Sequence, residues 1–322
     1  MAFPIGPTNG QQSTRYSRVF QYNGGAGRWE ALYTVPPIVS PIPSSGSGGQ
    51  TALASSTGGT IATTNLFLNA TNDDFYQYRY HVFTSSSSFV SSGSGLVDIL
   101  LVGGGGGGGG GQNGGYSGSG GSGGSVTILT NQTVAAQSYT VTVGAGGAAE
   151  AVGGASSVSG IAGASANGGA LGAFGGVSAL QAGSGAGGAQ SGTASASSAK
   201  VGGPGLATDF FQHFDVTTVP GISHLRSETW EDMVYLGGGG TSGRAESNSQ
   251  AANRGVALLG GGSGGYSPTY HSNFGWVTGE YTAVRGAMIN TGGGGAAGLR
   301  VSSSITNGSP GGSGLVVIKY KI

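Results

Sequence analysis

Residues 96–124 read LVDILLVGGGGGGGGGQNGGYSGSGGSGG, a short apolar strand that runs into nine consecutive glycines. Glycine loses more backbone freedom on ordering than any other residue, so such a run keeps a shape only when something outside it supplies the bonds. One compact answer is the extended left-handed helix with three residues per turn and a rise of about 3.1 Å per residue. It has no internal hydrogen bonds, so every N–H and C=O must find a partner elsewhere. Pure glycine leaves all sides of that helix open to close approach by neighbours. One run alone gains nothing, whereas several packed as a lattice satisfy one another.

Further runs occur at 144–147, 168–169, 183–188, 202–205, 237–240, 260–265, 292–295 and 311–314. They recur without a fixed period, between inserts of very different length, which is the pattern of a bundle joined by variable loops and not of a solenoid. Glycine supplies 72 of the 322 residues, and the formal net charge is zero. Disordered chains usually combine low hydrophobicity with high net charge, and here the charge is absent. Between residues 101 and 199 the only side chain of ordinary charge is Glu150. That stretch of Gly, Ala and Ser reads as the inside of closely packed rods.

The absence of cysteine removes disulfides, thiolate metal sites and cysteine nucleophiles, and fits assembly in a reducing cytosol. The start MAFPIGPTNGQQ lacks the basic flank and apolar core of a signal peptide. No stretch approaches 18 apolar residues, so membrane insertion is not expected. Zero net charge and three lysines offer no surface for nucleic acid. A strand followed by GxGxxG imitates a dinucleotide site, but the glycines satisfy that pattern trivially. QNGGYSGSGGSGG follows where a helix would be needed, and no P-loop motif exists, so no cofactor is expected.

The expected fold is mainly β and irregular, with almost no α-helix. Residues 1–34 read as a small N-terminal β module: 15–22 (RYSRVFQY) alternates, Asn23-Gly24-Gly25 turns, and 28–34 returns as a paired strand. Residues 35–64, with Pro36, Pro37, Pro41 and Pro43 followed by Ser and Gly, read as a linker. Residues 65–322 form a glycine-rich domain in which short strands support the rods. In its first part Tyr76, Tyr78, Tyr80 and Val82 alternate with Gln77, Arg79, His81 and Phe83. The Tyr side is expected to pack on the domain, and His81, on the more polar side, to be solvated or to cap the sheet. Strands are expected at 96–102, 125–130 and 138–143, and the apolar C-terminus within 311–322 should pair with 96–102.

Two inserts break the small-residue composition, 206–236 and 266–290, each bracketed by glycine runs and so expected as loops thrown out from the ends of the bundle. The first holds the acids and imidazoles Asp209, His213, Asp215, His224, Glu228, Glu231 and Asp232. Tailspike-type glycanases use carboxylate pairs, but no HExxH or similar spacing is present, and charge on a solvated loop is the simpler reading. Neither a catalytic nor a metal-binding residue is assigned. Exposed aromatic rings stack on sugars and bury area at low entropic cost. On that ground Phe214, His224, Trp230, Tyr235, Tyr270, His271, Phe274, Trp276 and Tyr281 are the candidate receptor contacts; the alternative is that half of the insert aromatics form small cores that hold the two inserts in shape.

The ordered set YHVFTSSSSFV, VDILLVGGGGGGGGG, SYTVTVGAGG and GGSGLVVIKY resembles the glycine-rich domain of bacteriophage tail-fibre and receptor-binding proteins, including the adhesins that cap the long tail fibres of T-even phages. The resemblance covers about residues 75–322. It implies a lattice of polyglycine II helices whose variable loops meet a host receptor, either a glycan or an outer-membrane protein. MAFPIGPTNGQQ with the later YNGGAGRWE also resembles the leader of cyanophage virion structural proteins, which implies that residues 1–34 dock to other tail or fibre proteins. The expected product is a non-enzymatic virion adhesin assembled in the host cytoplasm, an arrangement compatible with a homotrimer. The alternatives are a structural virion part, such as a head fibre or baseplate decoration, and a tailspike glycan hydrolase.

Overall fold

The structure, a computed structural model, describes residues 53–64, 77–110, 118–173, 287–298 and 307–322 throughout, much of 205–225 and 234–240, and short strands elsewhere. It is mainly β, built of antiparallel sheets, with no α-helix among the described residues. The chain divides into two units, one of Met1–Gly49 with Thr64–Gln77 and one of Gln50–Thr63 with Tyr78–Ile322.

The first unit holds a three-stranded sheet of Gln12–Arg15, Arg18–Asn23 and Arg28–Ala31, in that order. RYSRVFQY is therefore not one strand. Arg15 and Arg18 are register partners, so the chain reverses between them, whereas the expected turn after Asn23 returns through the pair Asn23 and Arg28. A hairpin of Phe67–Leu68 and Phe75–Tyr76 belongs to the same unit.

In the second unit a five-stranded antiparallel sheet runs in the order Val126–Val134, Gly95–Val102, Leu315–Lys321, Tyr78–Phe83, Thr60–Thr63. The C-terminal strand pairs with the strand that precedes the glycines, Leu315 opposite Val102 and Ile318 opposite Ile99. Leu53, fully buried, and the edge strand Thr60–Thr63 lie inside the stretch read from sequence as linker. A burial alternation of two explains the near-continuous apolar runs, because both faces of this sheet are covered. Val97, Ile99, Leu101, Val316, Ile318 and Phe83 face one core, shared with Phe89, Tyr139 and Val141 of a second sheet. Leu100, Val102, Leu315, Val317, Tyr80 and Val82 face another.

His81 falls on the first of these faces and is fully buried, not solvated. It is close enough to Gly58 O (2.8 Å, from Nδ1) and to the Tyr320 hydroxyl (2.9 Å, from Nε2) to bond both. These two partners satisfy the ring where water cannot reach, and Phe89 packs edge-on against it at 5.0 Å.

The glycines begin where the sheet ends. Residues 103–110 form a buried central rod whose bonds repeat every third residue, the period of the polyglycine II helix. The N–H groups of Gly103, Gly106 and Gly109 donate to Ser125, Ser122 and Ser119. Those of Gly104 and Gly107 donate to Gly154 and Ala151, and those of Gly105 and Gly108 to Gly312 and Ser309. The descending partner numbers make all three of these neighbours antiparallel. On the acceptor side, Gly104 and Gly107 take bonds from Gly169 and Gly172, Gly105 and Gly108 from Gly147 and Glu150, and Gly106 and Gly109 from Gly295 and Gly298. Here the numbers ascend together, so these three neighbours are parallel. The central rod thus has six neighbours, three receiving its N–H groups and three feeding its carbonyls.

This spacing leaves no room for a side chain. A Cβ at any residue from Gly103 to Gly109 would lie 1.8–2.1 Å from a neighbouring backbone oxygen. In the outer rods a buried glycine recurs at every third place: Gly144 and Gly147 are buried while Ala145 and Ala148 are exposed, and Gly169 and Gly172 are buried while Ala170, Leu171 and Ala173 are exposed. Serines serve where the geometry calls for a further acceptor. Ser156 Oγ takes the Gly144 N–H and donates to Val102 O at the junction of sheet and rod, and Ser309 Oγ takes the Ala296 N–H. Glu150, the lone charge of this region, turns the chain at φ 62° and accepts the Gly110 N–H at 3.0 Å, capping the central rod beyond its last glycine neighbour.

Gly107→Ala places its methyl on the carbonyl of Ala148 and should lower stability by about 3 kcal/mol. Ala148→Ser, on the outward third of the adjoining rod, should stay within about 0.5 kcal/mol. Denaturant melts of the two variants decide the matter, and equal melts would mean the rods are not packed as described.

Candidate functional site

The described part of insert 206–236 is not a loop thrown off the bundle end. It covers the second face of the five-stranded sheet. Leu206–Thr208 pairs antiparallel with Val234–Leu236, closing the base of the insert. Inside it the Thr208 hydroxyl accepts the Phe210 N–H at 3.0 Å and Phe214 N–H bonds Phe211 O at 2.9 Å, so the chain turns at once.

Three successive three-residue turns follow, with Val219 bonded to Val216, Ile222 to Val219 and Leu225 to Ile222. A period of three puts those four apolar residues in one row. The row is buried, and it lies with Phe210, Phe211, Val234 and Leu236 against Tyr80, Val82, Leu100, Val102, Leu315 and Val317. The insert supplies the apolar cover that this side of the sheet requires.

Lys319 occupies the seam between insert and sheet. Its ammonium sits 4.4 Å from the Phe210 ring centre and 5.1 Å from that of Tyr78, with Asp98 Oδ2 at 3.5 Å. Cation–π attraction strengthens as water is removed, so a half-buried lysine between two rings and a carboxylate fixes the first turn of the insert. The Tyr80 hydroxyl points at Phe210 O, 3.4 Å away. Burial first, then Tyr78 and Asp98, push its pKa far above the phenol range, so it stays a neutral donor.

The sequence-predicted contacts divide accordingly. Phe214 is half-buried and stacks on Tyr80, with centroids 4.2 Å apart and planes at 18°. Phe210 and Phe211 belong to the core. The backbone of His224 lies in the short turn Ser223–Leu225, and Tyr235 lies opposite Ala207 in the closing strands. In the second insert Tyr270–His271 and Gly275–Trp276 pair as a hairpin that opposes Tyr270 to Trp276 and His271 to Gly275. Trp230, Phe274 and Tyr281 fall outside the described residues, as do the side chains of Asp209, His213, Asp215, His224, Glu228, Glu231 and Asp232.

One link between the inserts was not read from the sequence. Asn290, in the left-handed region at φ 59° and 4% exposed, donates through Nδ2 to Gly221 O at 2.7 Å. Its N–H and its Oδ1 are both held by the Ser313 hydroxyl, at 2.9 and 3.0 Å. The foot of the second insert is thereby fastened to the turn of the first. Beside this clamp, Met288 and Ile289 are 50% and 62% exposed, and Thr218, Pro220 and Ser223 are exposed on the facing turn. The run Asn290-Thr291-Gly292 carried a turn signal in the sequence, since Asn tolerates the left-handed region, but nothing local announced its long-range partner.

The surface so formed is uncharged among its described residues and is held by the Asn290 clamp. It can bind by shape and apolar contact. A profile of a family described as a glycine-rich domain matches residues 83–321, and no curated protein matches the chain.

Phe210→Ala should cost about 3–5 kcal/mol, as for a buried ring, and should loosen Lys319. Phe214→Ala, half-buried, should cost clearly less. Thermal melts separate the two, and a larger loss at Phe214 would overturn the assignment of Phe210 to the core.

Proposed function

The chain belongs to the glycine-rich domain family, and on that premise we propose that it is a bacteriophage virion adhesin, a tail-fibre or receptor-binding protein that attaches to the host surface through inserts 206–236 and 266–290. The observation that supports this reading is the Asn290 clamp to Gly221, which fastens the end of the second insert to a turn of the first. The lattice beside it is almost without charge and acts as the rigid mount. The activity is binding, not catalysis. The receptor is a glycan or an outer-membrane protein, and residues 1–34 dock to other virion proteins.

Deleting insert 206–236 would strip the sheet of its cover, so point changes test the reading better. Purified, labelled protein should bind a subset of a panel of Gram-negative cells, cyanobacteria included. Trp230→Ala, Trp276→Ala and Met288→Ser with Ile289→Ser should each lower binding about tenfold or more with unchanged melting, as truncated interface anchors do. Binding that survives all three would sink the insert assignment. Absence of binding throughout the panel, with incorporation into virions intact, would favour the structural virion component.

A further inference from the structure

We infer that residues 53–63 form an acid-sensitive latch, a strap of chain closed onto the glycine-rich unit by the neutral ring of His81 and loosened when that ring takes up a proton. The chain passes between the two units at 49/50, 63/64 and 77/78. The strap is the part of the early chain that the second unit owns.

The strap is fastened at few points, and His81 stands at the middle of them. Leu53 is in the core, Thr57 and Val90 exchange backbone bonds at 2.9 and 3.0 Å, and Thr60–Thr63 forms the sheet edge against Arg79 to Val82. Between these, Gly58 adopts φ 111°, a conformation few residues other than glycine reach, and turns its carbonyl to His81 Nδ1. A carbonyl only accepts, so Nδ1 carries the proton and Nε2 accepts from the Tyr320 hydroxyl. Both bonds are satisfied by the neutral ring.

A second proton would sit on Nε2 and turn that acceptor into a donor facing Tyr320. The charge would be buried, with no carboxylate among the described residues to meet it. From its own strand the ring faces Arg79, a second cation, which itself holds Ala54 O of the strap. From the C-terminal strand it faces the Tyr320 phenol, from the strap the Gly58 carbonyl, and from strand Ser87–Val90 the Phe89 ring. Burial holds the ring below its ordinary value of 6.5; the Gly58 bond opposes it in part, and Arg79 adds a smaller push downward. The open strap lets the ring meet water and protonate normally.

The sign follows from proton linkage. Below about pH 6.5 the open state binds more protons than the closed one, so the closed latch loses stability as the pH falls. At pH 5 the opening equilibrium should have risen by up to about thirtyfold, 1.5 pH units of proton binding.

Hydrogen exchange of the intact chain tests this, with rates corrected for intrinsic pH dependence. Amides of residues 57–63 should lose protection by about tenfold or more between pH 7.5 and 5, while those of 103–109 hold theirs. His81→Gln, neutral at every pH, should abolish the change. A strap whose protection ignores pH, a loss shared equally by the lattice, or a loss that persists in His81→Gln would each overturn the latch. If the variant does not fold, NMR of the wild-type imidazoles serves. The His81 ring should remain neutral with its proton on Nδ1 down to pH 6, and a protonated ring with the strap still closed would refute the proposal.

Discussion

A backbone that carries no side chains can be buried only if every amide finds a partner on another stretch of chain, and here that condition fixes nearly everything else. The central rod directs its N–H groups to three antiparallel neighbours and receives bonds from three parallel ones, so stretches from residue 119 to residue 312 must gather around it. Contact at 1.8–2.1 Å from a notional Cβ means that glycine is demanded by proximity, not by an unusual φ. The entropy glycine gives up on ordering is offset by this collective bonding, which no single rod could supply.

The sheet beside the lattice solves a different problem. It anchors both the start of the first rod and the end of the last, since Gly95–Val102 leads into residue 103 and Leu315–Lys321 follows the rod at 308–314. Its faces are apolar on both sides and must both be covered. One face is closed by the second sheet, the other by the row Val216, Val219, Ile222 and Leu225 with the paired phenylalanines. An insert that interrupts the glycines is therefore also a structural layer, and among the described residues its outer turns and the neighbouring Met288 and Ile289 are left exposed.

Much of this was legible in the residues. Nine glycines without local support implied neighbours, the apolar C-terminus implied a partner for strand 96–102, and the Tyr stripe implied a packed face. What escaped had long-range causes. His81 sits in a pattern that alternates with tyrosine, and period two cannot tell a solvated face from one buried under a second sheet. Leu53 and Thr60–Thr63 were hidden in proline- and serine-rich chain, where composition outweighs a single buried leucine. Glu150 looked like a stray charge, because a cap over a rod forty residues earlier leaves no mark in its own neighbourhood. The clamp of Asn290 on Gly221 spans 69 residues and was invisible for the same reason. Buried glycine at every third place in the outer rods was readable from the start, in the spacing of Gly144 with Gly147 and of Gly169 with Gly172.

That spacing gives the rods a frame of their own. Because bond directions around a rod repeat after three residues, inserting one residue turns every later N–H by a third of a circle and aims it at the wrong neighbour. Inserting three restores the directions and only lengthens the rod. Loops between rods that pack on nothing carry no such frame, so they can gain or lose residues singly while the rods change length in triplets. A chain of this kind can vary its displayed surface without limit of length and still keep the mount in register.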